Sequence, residues 1–417
     1  MEKNGEANNM FRWKENPATL LPYTPPEWAA HLNGSPTVRI KLFQPMTPIH
    51  LWKIPGIPED VELYIKRDDM TGAAMTGNKV RKLEFLLAEA VEMKCNAVIT
   101  CGAVLSNHCR TTAVAAGILG LEAHLLLRSK MKNPEDIVPR GNVLLNRLVG
   151  AQQYLIPNEA NLDTEIVPRM QILAKQLSEI RKIKSYLIPV GKPSTIAVQG
   201  YLWAWQELLD QGIQERFDDI IVTIATGENA AGLAIGNYLT GSKLKIHAYA
   251  VCYDAKTFHS HINSTLDILG LGDTIQSEDI INIIEGYQGD GYGLSTPHEI
   301  DFIRKVATTT GILLDPTYTG KAASGLSHDL TYDRSKFKGN RILFIHTGGI
   351  FGLYDGRMTN ILSETRDDQS QMRVWMDLDE DPLPVSPEKS IPNGHQFQPN
   401  PITLNHHFNG GINIGLT

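Results

Sequence analysis

The sequence predicts an α/β protein built from parallel sheets with helices on both faces. Apolar, strand-like runs alternate with helical periodicity along most of the chain, and some runs, such as DIIVTIAT and RILFIHT, are apolar at successive positions. Continuous apolar runs are typical of strands that helices cover on both faces. The length of 417 residues, with 42% hydrophobic and 20% charged residues, fits a large core and two domains.

The predicted strands and helices follow one another in alternation. The strand candidates are Glu62–Lys66, Ala97–Thr100, Ala123–Leu127, Gln153–Ile156, Tyr186–Val190, Ile220–Ala225, Ile246–Val251 and Ile342–Ile345. Four segments between them have apolar residues three and four apart, as in a helix packed on a sheet: KLEFLLAEAVE, TAVAAGILG, IVPRMQILAKQLSEI and TIAVQGYLWAWQELL. This alternation predicts parallel strands joined by helices.

Charge and cysteine content restrict the classes of partner. The net charge is −7 and the pI is about 6.0, which argues against the basic surface that nucleic acid or anionic membranes require. A small-molecule partner is therefore expected. The four cysteines, Cys95, Cys101, Cys109 and Cys252, show no C-x-x-C spacing, so we expect reduced thiols and no metal site.

We expect neither a membrane-spanning helix nor an export signal. No apolar run approaches the roughly 18 residues of a membrane helix, and the first residues lack the apolar stretch of a signal peptide. The expected location is the cytoplasm. From Ser363 onward, charge clusters and scattered prolines predict a tail with little structure, in which His406 and His407 are interpreted as a solvated pair.

A lysine stands at an unusual place in the segment TGNKVRKLEF. Lys79 directly follows a Gly-Asn turn and begins a predicted helix, the end at which a cation is mildly disfavoured by the helix dipole. One interpretation is a solvated surface lysine, with Arg81 and Lys82 as companions. The other is that chemistry requires the Lys79 amine at this position.

Polar turns follow several of the predicted strands, where α/β proteins bind ligands. In CGAVLSNHCR, Ser106 and Asn107 are either helix N-caps or part of a cradle for a carboxylate at a helix N-terminus. The turn in TIATGENAAGLAIG suggests a phosphate cradle made by Thr226, Gly227 and Asn229, although Glu228 adds a negative charge there.

Two further turns complete the set. LLDPTYTGKAASGL places Tyr318 and Thr319 before a predicted helix, and FIHTGGIFGLYD places Thr347 after a buried strand. No G-x-G-x-x-G follows a strand and no G-x-x-x-x-G-K-[ST] occurs, which argues against dinucleotide and nucleoside-triphosphate binding. Several polar turns together with a helix-mouth lysine indicate an active site.

These segments, taken in order, resemble one enzyme family. GNKVRKLEF, SNHCR, AGL, LDPTYTGKA and HTGGIFGLYD are similar to motifs of the fold-type II pyridoxal-phosphate (PLP) enzymes, in the subgroup of D-cysteine desulfhydrase and 1-aminocyclopropane-1-carboxylate deaminase. The similarity covers roughly residues 41–355. It implies a two-domain, tryptophan-synthase-beta-like fold and a homodimer.

The resemblance implies roles for residues around the cofactor. Lys79 would carry PLP as a Schiff base and later accept the Cα proton of the substrate. Asn78 would contact the cofactor ring oxygen and Thr347 the pyridine nitrogen. The phosphate would lie at the turn described above, whose members are Thr226, Gly227 and Asn229.

The resemblance also implies roles for residues around the substrate. Ser106, Asn107 and His108 match the turn that holds the substrate carboxylate. Tyr292, in GDGYG, and Tyr318 match phenols near the substrate, and a phenol can donate a proton to a leaving group; a surface-packing role for Tyr292 stays open. The predicted catalytic residues are thus Lys79, Tyr292, Tyr318 and Ser106.

The implied activity is a carbon–sulfur lyase that converts D-cysteine to pyruvate, sulfide and ammonia. Two alternatives stay open. Deamination of 1-aminocyclopropane-1-carboxylate is disfavoured because Thr319 stands where such deaminases have a glutamate. A weakened binding or regulatory protein is suggested by the phosphate turn, which lacks two glycines of the usual G-S-G-G-T, and Leu105 also replaces a common glutamine.

The predicted domain organisation follows the resemblance. Residues 1–40 form an N-terminal extension, and residues 41–82 and 194–362 combine into a larger PLP-binding domain. Residues 83–193 form a smaller α/β domain that carries the Ser106 turn, and residues 363–417 are the tail. The active site is expected between the two domains.

Overall fold

The computed structural model describes residues 18–358 and residue 362. Its strands are β1 (Leu21–Pro22), β2 (Val38–Arg39), β3 (Ile49–Leu51), β4 (Glu62–Lys66), β5 (Ala97–Ala103), β6 (Glu122–Ser129), β7 (Gln152–Pro157), β8 (Ser185–Leu187), β9 (Asp219–Ile224), β10 (Lys245–Ala250), β11 (Asn282–Ile284) and β12 (Arg341–Ile345). Its helices are α1 (Lys79–Glu92), α2 (Asn107–Ile118), α3 (Gly141–Leu148), α4 (Val167–Arg181), α5 (Thr195–Asp210), α6 (Ile213–Arg216), α7 (Glu228–Leu239), α8 (Ala255–Leu269), α9 (Ser277–Ile280), α10 (Pro297–Thr310) and α11 (Thr319–Tyr332).

The larger sheet has six strands in the order β11-β10-β9-β12-β4-β3. All neighbours in it are parallel except the edge pair β3 and β4. Successive residues of β9 enter different cores: Ile220 and Val222 pack with α5, α7 and α8, whereas Ile221 packs with α10 and α11. Helices therefore cover both faces, which explains the continuous apolar run of this strand.

The smaller sheet has four parallel strands in the order β7-β6-β5-β8. On β5, Val98 packs with α1 and α2, and the next residue, Ile99, packs with α4. The whole sheet is formed within residues 97–187. It lies inside the segment 83–193 that was predicted as the smaller domain, and the domain boundaries themselves stay a prediction.

A buried group of opposite charges fixes the first turn of α1. The Arg81 guanidinium binds Asp68 at 2.7 and 2.8 Å and Glu207 of α5 at 2.9 Å, and Lys66 of β4 also pairs with Glu207. Burial opposes ionisation of Glu207, but the charges and hydrogen bonds of Arg81 and Lys66 bring its pKa below the usual range. This network joins α1, α5 and the six-stranded sheet two residues after Lys79.

The structure confirms the α/β fold with parallel sheets, and each predicted strand overlaps an observed one. The strand predicted at Tyr186–Val190 is observed as the shorter strand Ser185–Leu187. The sequence patterns missed β1, β2, β3 and β11, which have only two or three residues each. The four cysteines are free thiols. No helix within the described part of the chain is long and apolar enough to cross a membrane. The predicted tail from Ser363, including His406 and His407, lies outside the described residues.

Candidate active site

Polar turns from three parts of the chain meet at the carboxyl ends of the parallel strands. The turn before α1 brings Asn78 and Lys79, and the turns after β9 and β12 bring polar residues from the six-stranded sheet. One cavity is lined by residues from all of these turns, with further contributions from α2 and the start of α11. Its lining includes Asn78, Lys79, Asn107, Thr226, Asn229, Tyr318 and Thr347. Seven of the predicted site residues are therefore brought together.

Two glycines allow the lysine turn and the turn after β12 to touch. Gly77 has φ +103° and Gly348 has φ +93°, values that favour glycine. A Cβ on Gly77 would lie 2.8 Å from the carbonyl oxygen of Thr347, and that carbonyl accepts a hydrogen bond of 3.1 Å from the Asn78 amide. The turn that carries Lys79 is thereby held to the strand end that carries Thr347.

The Lys79 amine is surrounded by protein and by a second cation. Burial, followed by the charge of the nearby Lys82 ammonium, lowers the pKa of Lys79 to about 8, while Glu228 acts in the opposite direction. An amine with this pKa is partly unprotonated near neutral pH. Lys79 can therefore act as a nucleophile and as a proton acceptor under physiological conditions.

The N-terminus of α7 provides an anion-binding element beside Lys79. Gly227, with φ +93°, precedes the first turn of this 12-residue helix, and Asn229 donates a 2.9 Å hydrogen bond to the Thr223 carbonyl. Thr223 also lines the cavity and is 4% exposed, and its buried hydroxyl has no hydrogen-bond partner among the residues that the structure describes. Such a turn fits a phosphate, although Glu228 lies there as well.

The Ser106 turn is held by local hydrogen bonds and flanks the cavity. The Ser106 hydroxyl caps α2 by accepting a 3.1 Å bond from the Cys109 amide, which supports the N-cap interpretation. His108 shares a 2.9 Å hydrogen bond between its Nε2 and the Thr100 hydroxyl, while its buried Nδ1 has no partner within the described part of the chain. Burial and the charges of Lys82 and Lys79 keep the pKa of His108 well below its usual value, so the ring is neutral.

The two predicted phenols form a pair. The hydroxyls of Tyr292 and Tyr318 are hydrogen-bonded, and their rings pack edge to face with centroids 5.9 Å apart. Burial, followed by the Tyr292 phenol, raises the pKa of Tyr318 well above its usual value, so the phenol stays protonated at neutral pH. Both tyrosines line a second cavity of about 470 Å³, which shares Asn107 and Tyr318 with the Lys79 cavity.

Thr319 does not line the Lys79 cavity. Its hydroxyl donates a 2.8 Å hydrogen bond to the Asp315 carboxylate, which also accepts from the amides of Thr317 and Tyr318. This arrangement fixes the turn that presents Tyr318. Thr347, by contrast, lines the cavity.

The sequence patterns missed two residues that join the Ser106 turn to the Lys79 turn. Arg110 donates to Asn142 Oδ1 at 3.2 Å and to the carbonyls of Ala74 and Thr76 at 2.6 and 3.2 Å. Asn142 in turn donates to Asn107 Oδ1 at 2.9 Å. The only signal for Arg110 was its place in SNHCR, and α3, which carries Asn142, was not predicted at all.

Comparison with known proteins agrees with this geometry. A family profile described as "Pyridoxal-phosphate dependent enzyme" matches residues 40–348, well over half of the chain. The chain belongs to this family. PLP is therefore its cofactor, and the fold and family implied by the sequence motifs are confirmed.

Within the PLP-dependent family, the chain is similar to the following proteins. It is 44% identical over 342 residues to the bifunctional D-cysteine desulfhydrase/1-aminocyclopropane-1-carboxylate deaminase, mitochondrial, of Arabidopsis thaliana, covering 81% of this chain and 84% of that protein. It is 32% identical to D-cysteine desulfhydrase of Salmonella choleraesuis, covering 78% and 97%. A crystal structure of an ACC deaminase homologue matches with a TM-score of 0.67 and 34% identity, covering 82% and 99%.

The residues present fit the PLP of this family. Lys79 supplies the amine and the α7 turn supplies backbone donors. Thr223, whose hydroxyl has no partner in residues 18–358 and 362, lines the same cavity. The described residues contain no group of three or more His, Cys, Asp or Glu side chains that could hold a metal ion.

Proposed function

We propose that this protein is a PLP-dependent lyase that converts D-cysteine to pyruvate, sulfide and ammonia. The observation that carries the proposal is the convergence of Lys79, Tyr318 and Asn107 on one cavity. These residues supply an amine, a proton-donating phenol and a polar group at a helix N-terminus. The names of the Arabidopsis and Salmonella relatives support the choice of substrate.

The residues that would hold the cofactor are Lys79 at its aldehyde, Asn78 and Thr347 at its ring, and Thr226, Gly227 and Asn229 at its phosphate. When bound, PLP supplies an aldehyde for the substrate amine and a ring that takes up electron density from Cα. Thr347 offers a neutral hydroxyl, which does not enforce a protonated pyridine as a carboxylate does. A ring that is not held protonated withdraws electrons from Cα less strongly, and this favours elimination of a β-substituent.

The substrate carboxylate would bind at the N-terminus of α2. Backbone N–H groups in the first turn of a helix attract an anion, and Ser106 and Asn107 add polar side chains. His108 is neutral, so it contributes hydrogen bonding rather than charge. With its carboxylate bound there, a small amino acid would present its Cα–H bond to Lys79.

Proton movements can be assigned to groups whose ionisation states fit. The unprotonated Lys79 amine accepts the Cα proton, since its pKa of about 8 leaves part of the amine neutral at physiological pH. The Tyr292–Tyr318 pair is protonated and donates to the departing sulfur. Water then completes the balance, because D-cysteine and water yield pyruvate, hydrogen sulfide and ammonia.

A substrate panel tests the proposal. D-cysteine, L-cysteine and 1-aminocyclopropane-1-carboxylate would be incubated with the PLP-loaded protein, with sulfide, pyruvate and 2-oxobutanoate measured separately. We expect the wild type to form equal amounts of sulfide and pyruvate from D-cysteine, and Lys79→Ala to form neither product. Failure to release sulfide from D-cysteine would reject it.

Ring-opening deamination of 1-aminocyclopropane-1-carboxylate is the second candidate, favoured by the bifunctional name of the Arabidopsis relative. Release of 2-oxobutanoate without sulfide would select it. The position after Tyr318 argues for the desulfhydrase, since Thr319 is bound to Asp315 and provides no carboxylate at the cavity. In the third alternative, a binding or regulatory protein, no product would form from any substrate of the panel.

We further propose that the protein is a cytoplasmic homodimer, with a larger domain of residues 41–82 and 194–362 and a smaller one of residues 83–193. The resemblance to the family supports the dimer and the domain division. Light scattering tests the assembly, because a dimer would have twice the chain mass of 46.2 kDa. Fractionation of cells that express the tagged chain tests the location.

A further inference from the structure

A buried ion pair lies beside the cofactor lysine. Lys82 of α1 and Glu228 of α7 are 2.6 Å apart between Nζ and Oε2, and their side chains are only 6% and 9% exposed. The two residues are far apart in the sequence and come from different helices. Such enclosure strengthens an electrostatic contact and makes the loss of either partner costly.

The position of the pair links it to the cofactor site. Lys82 follows Lys79 by one helical turn, and both charges of the pair act on the Lys79 amine. Glu228 is the first residue of α7 and is next to Gly227, in the turn whose neighbours Thr226 and Asn229 line the Lys79 cavity. Thr223 lines that same cavity, and its hydroxyl finds no partner in the portion of the chain that the structure describes. A cation, a helix N-terminus and a free hydroxyl are the groups that hold a phosphate.

We propose that Glu228 is an internal anion that competes with the phosphate of the cofactor for Lys82. Binding of PLP then requires the phosphate to displace the Glu228 carboxylate from its partner. Pyridoxal, which has the same aldehyde and ring but no phosphate, meets no such competition. The inference rests on the proposed cofactor site at Lys79 and assigns Glu228 a role in selecting between the two cofactor forms.

The charge balance explains the competition. A phosphate monoester carries between one and two negative charges near neutral pH, and the pair already neutralises Lys82. Bringing the phosphate beside an ionised carboxylate in an enclosed site places like charges together, which is unfavourable. Removing the Glu228 charge returns Lys82 to the phosphate and removes this repulsion.

A purely structural role for Glu228 makes a different prediction. A carboxylate in the first turn of a helix stabilises the helix dipole, and the pair with Lys82 joins α7 to α1. If Glu228 did no more than this, its removal would weaken the fold and change the binding of PLP and pyridoxal to the same extent. The ratio of the two affinities therefore separates the two roles.

The test measures dissociation constants of PLP and pyridoxal on the cofactor-free full chain at pH 8, by absorbance titration, for the wild type, Glu228→Gln and Glu228→Gly. The control is Glu84→Gln, which removes another buried carboxylate from the helix that carries Lys82. Glu84 pairs with Arg39 at 3.3 Å and does not line the Lys79 cavity. Borohydride reduction and peptide mapping locate the bound aldehyde.

We expect the preference for PLP over pyridoxal to rise at least tenfold in both Glu228 variants and to stay unchanged in Glu84→Gln. Inorganic phosphate, which does not react with Lys79, should raise the melting temperature of Glu228→Gln more than that of the wild type. An unchanged or smaller preference in the Glu228 variants, with both aldehydes still trapped on Lys79, would overturn the competition and leave the proposed function intact. If neither aldehyde were trapped on Lys79 in any variant, the proposed function would fall together with this inference.

Discussion

Gly348 lies against Gly77 so closely that a Cβ atom on Gly348 would come within 2.5 Å of the Gly77 Cα atom. The contact joins two backbones, so no side-chain rotation relieves it. It sets the position of the turn that presents Lys79 relative to the carboxyl end of β12. The geometry of the active site therefore depends on these two residues as well as on the groups that react.

Gly348→Ala is expected to lower the free energy of unfolding by about 3 kcal/mol or more, because it adds both a strained φ and a backbone clash. Gly286→Ala is the matched control, since Gly286 has φ +94° and open space where an added methyl group would lie. This control should lower the free energy of unfolding only by the cost of the strained φ, about 1–2 kcal/mol. Equal losses in urea denaturation of the two variants would show that the Gly77 contact is unimportant.

Arg110 joins the Ser106 turn to the Lys79 turn through Asn142, Ala74 and Thr76. Replacement by Met leaves these buried acceptors without a donor, so we expect a loss of about 3 kcal/mol in unfolding free energy. The KM for the substrate should also rise, as the Asn107 turn loses its support. Arg169→Met, which breaks a half-exposed pair with Glu165, serves as the control and should change stability by less than about 1 kcal/mol. Similar melting temperatures for the two variants would contradict the role of Arg110.

The ionisation of Lys79 gives a pH-dependent signature. Its pKa of about 8 in the folded protein lies below the ordinary value of 10.5, so the unfolded chain binds this proton more tightly. Lys79 therefore opposes folding below pH 8, and this opposition fades as the pH rises from 8 to 10.5. Competitive acetylation of the cofactor-free protein, followed by mass spectrometry, should show Lys79 reacting with a midpoint near pH 8.

Two variants change that midpoint in opposite directions. Glu228→Gln should lower it, because the carboxylate raises the pKa of Lys79, and Lys82→Met should raise it. Free Nα-acetyl-lysine amide is the reference compound, with a midpoint of about 10.4. A Lys79 midpoint close to that of the reference would mean that the amine is not enclosed as the structure shows.

The two phenols are expected to act as one proton-donating unit. Tyr318→Phe should lower kcat for sulfide release by about a hundredfold or more with little change in KM, since Tyr318 lines both cavities. Tyr292→Phe should cost less, and the double variant should be no worse than the poorer single one. Independent, multiplicative losses would assign the tyrosines separate steps.

Much of the site was predictable because local motifs determine it. The Gly-Asn turn and the helix after it placed Lys79 at the start of α1, and each polar turn after a strand was visible in a short segment. The strands of two or three residues were missed because so few residues carry no periodicity. The Lys82–Glu228 pair was missed because its members are 146 residues apart, and no local pattern reports such a contact.

Locating the residue to which PLP attaches tests whether Lys79 carries the cofactor. The protein would be incubated with PLP, reduced with borohydride and digested, and the modified peptide would be sequenced by mass spectrometry, with Lys79→Ala treated in parallel. We expect a single stoichiometric modification on Lys79, absent from the variant and prevented when D-cysteine is added before reduction. Modification of another lysine at equal yield in Lys79→Ala, or no modification at all, would contradict it.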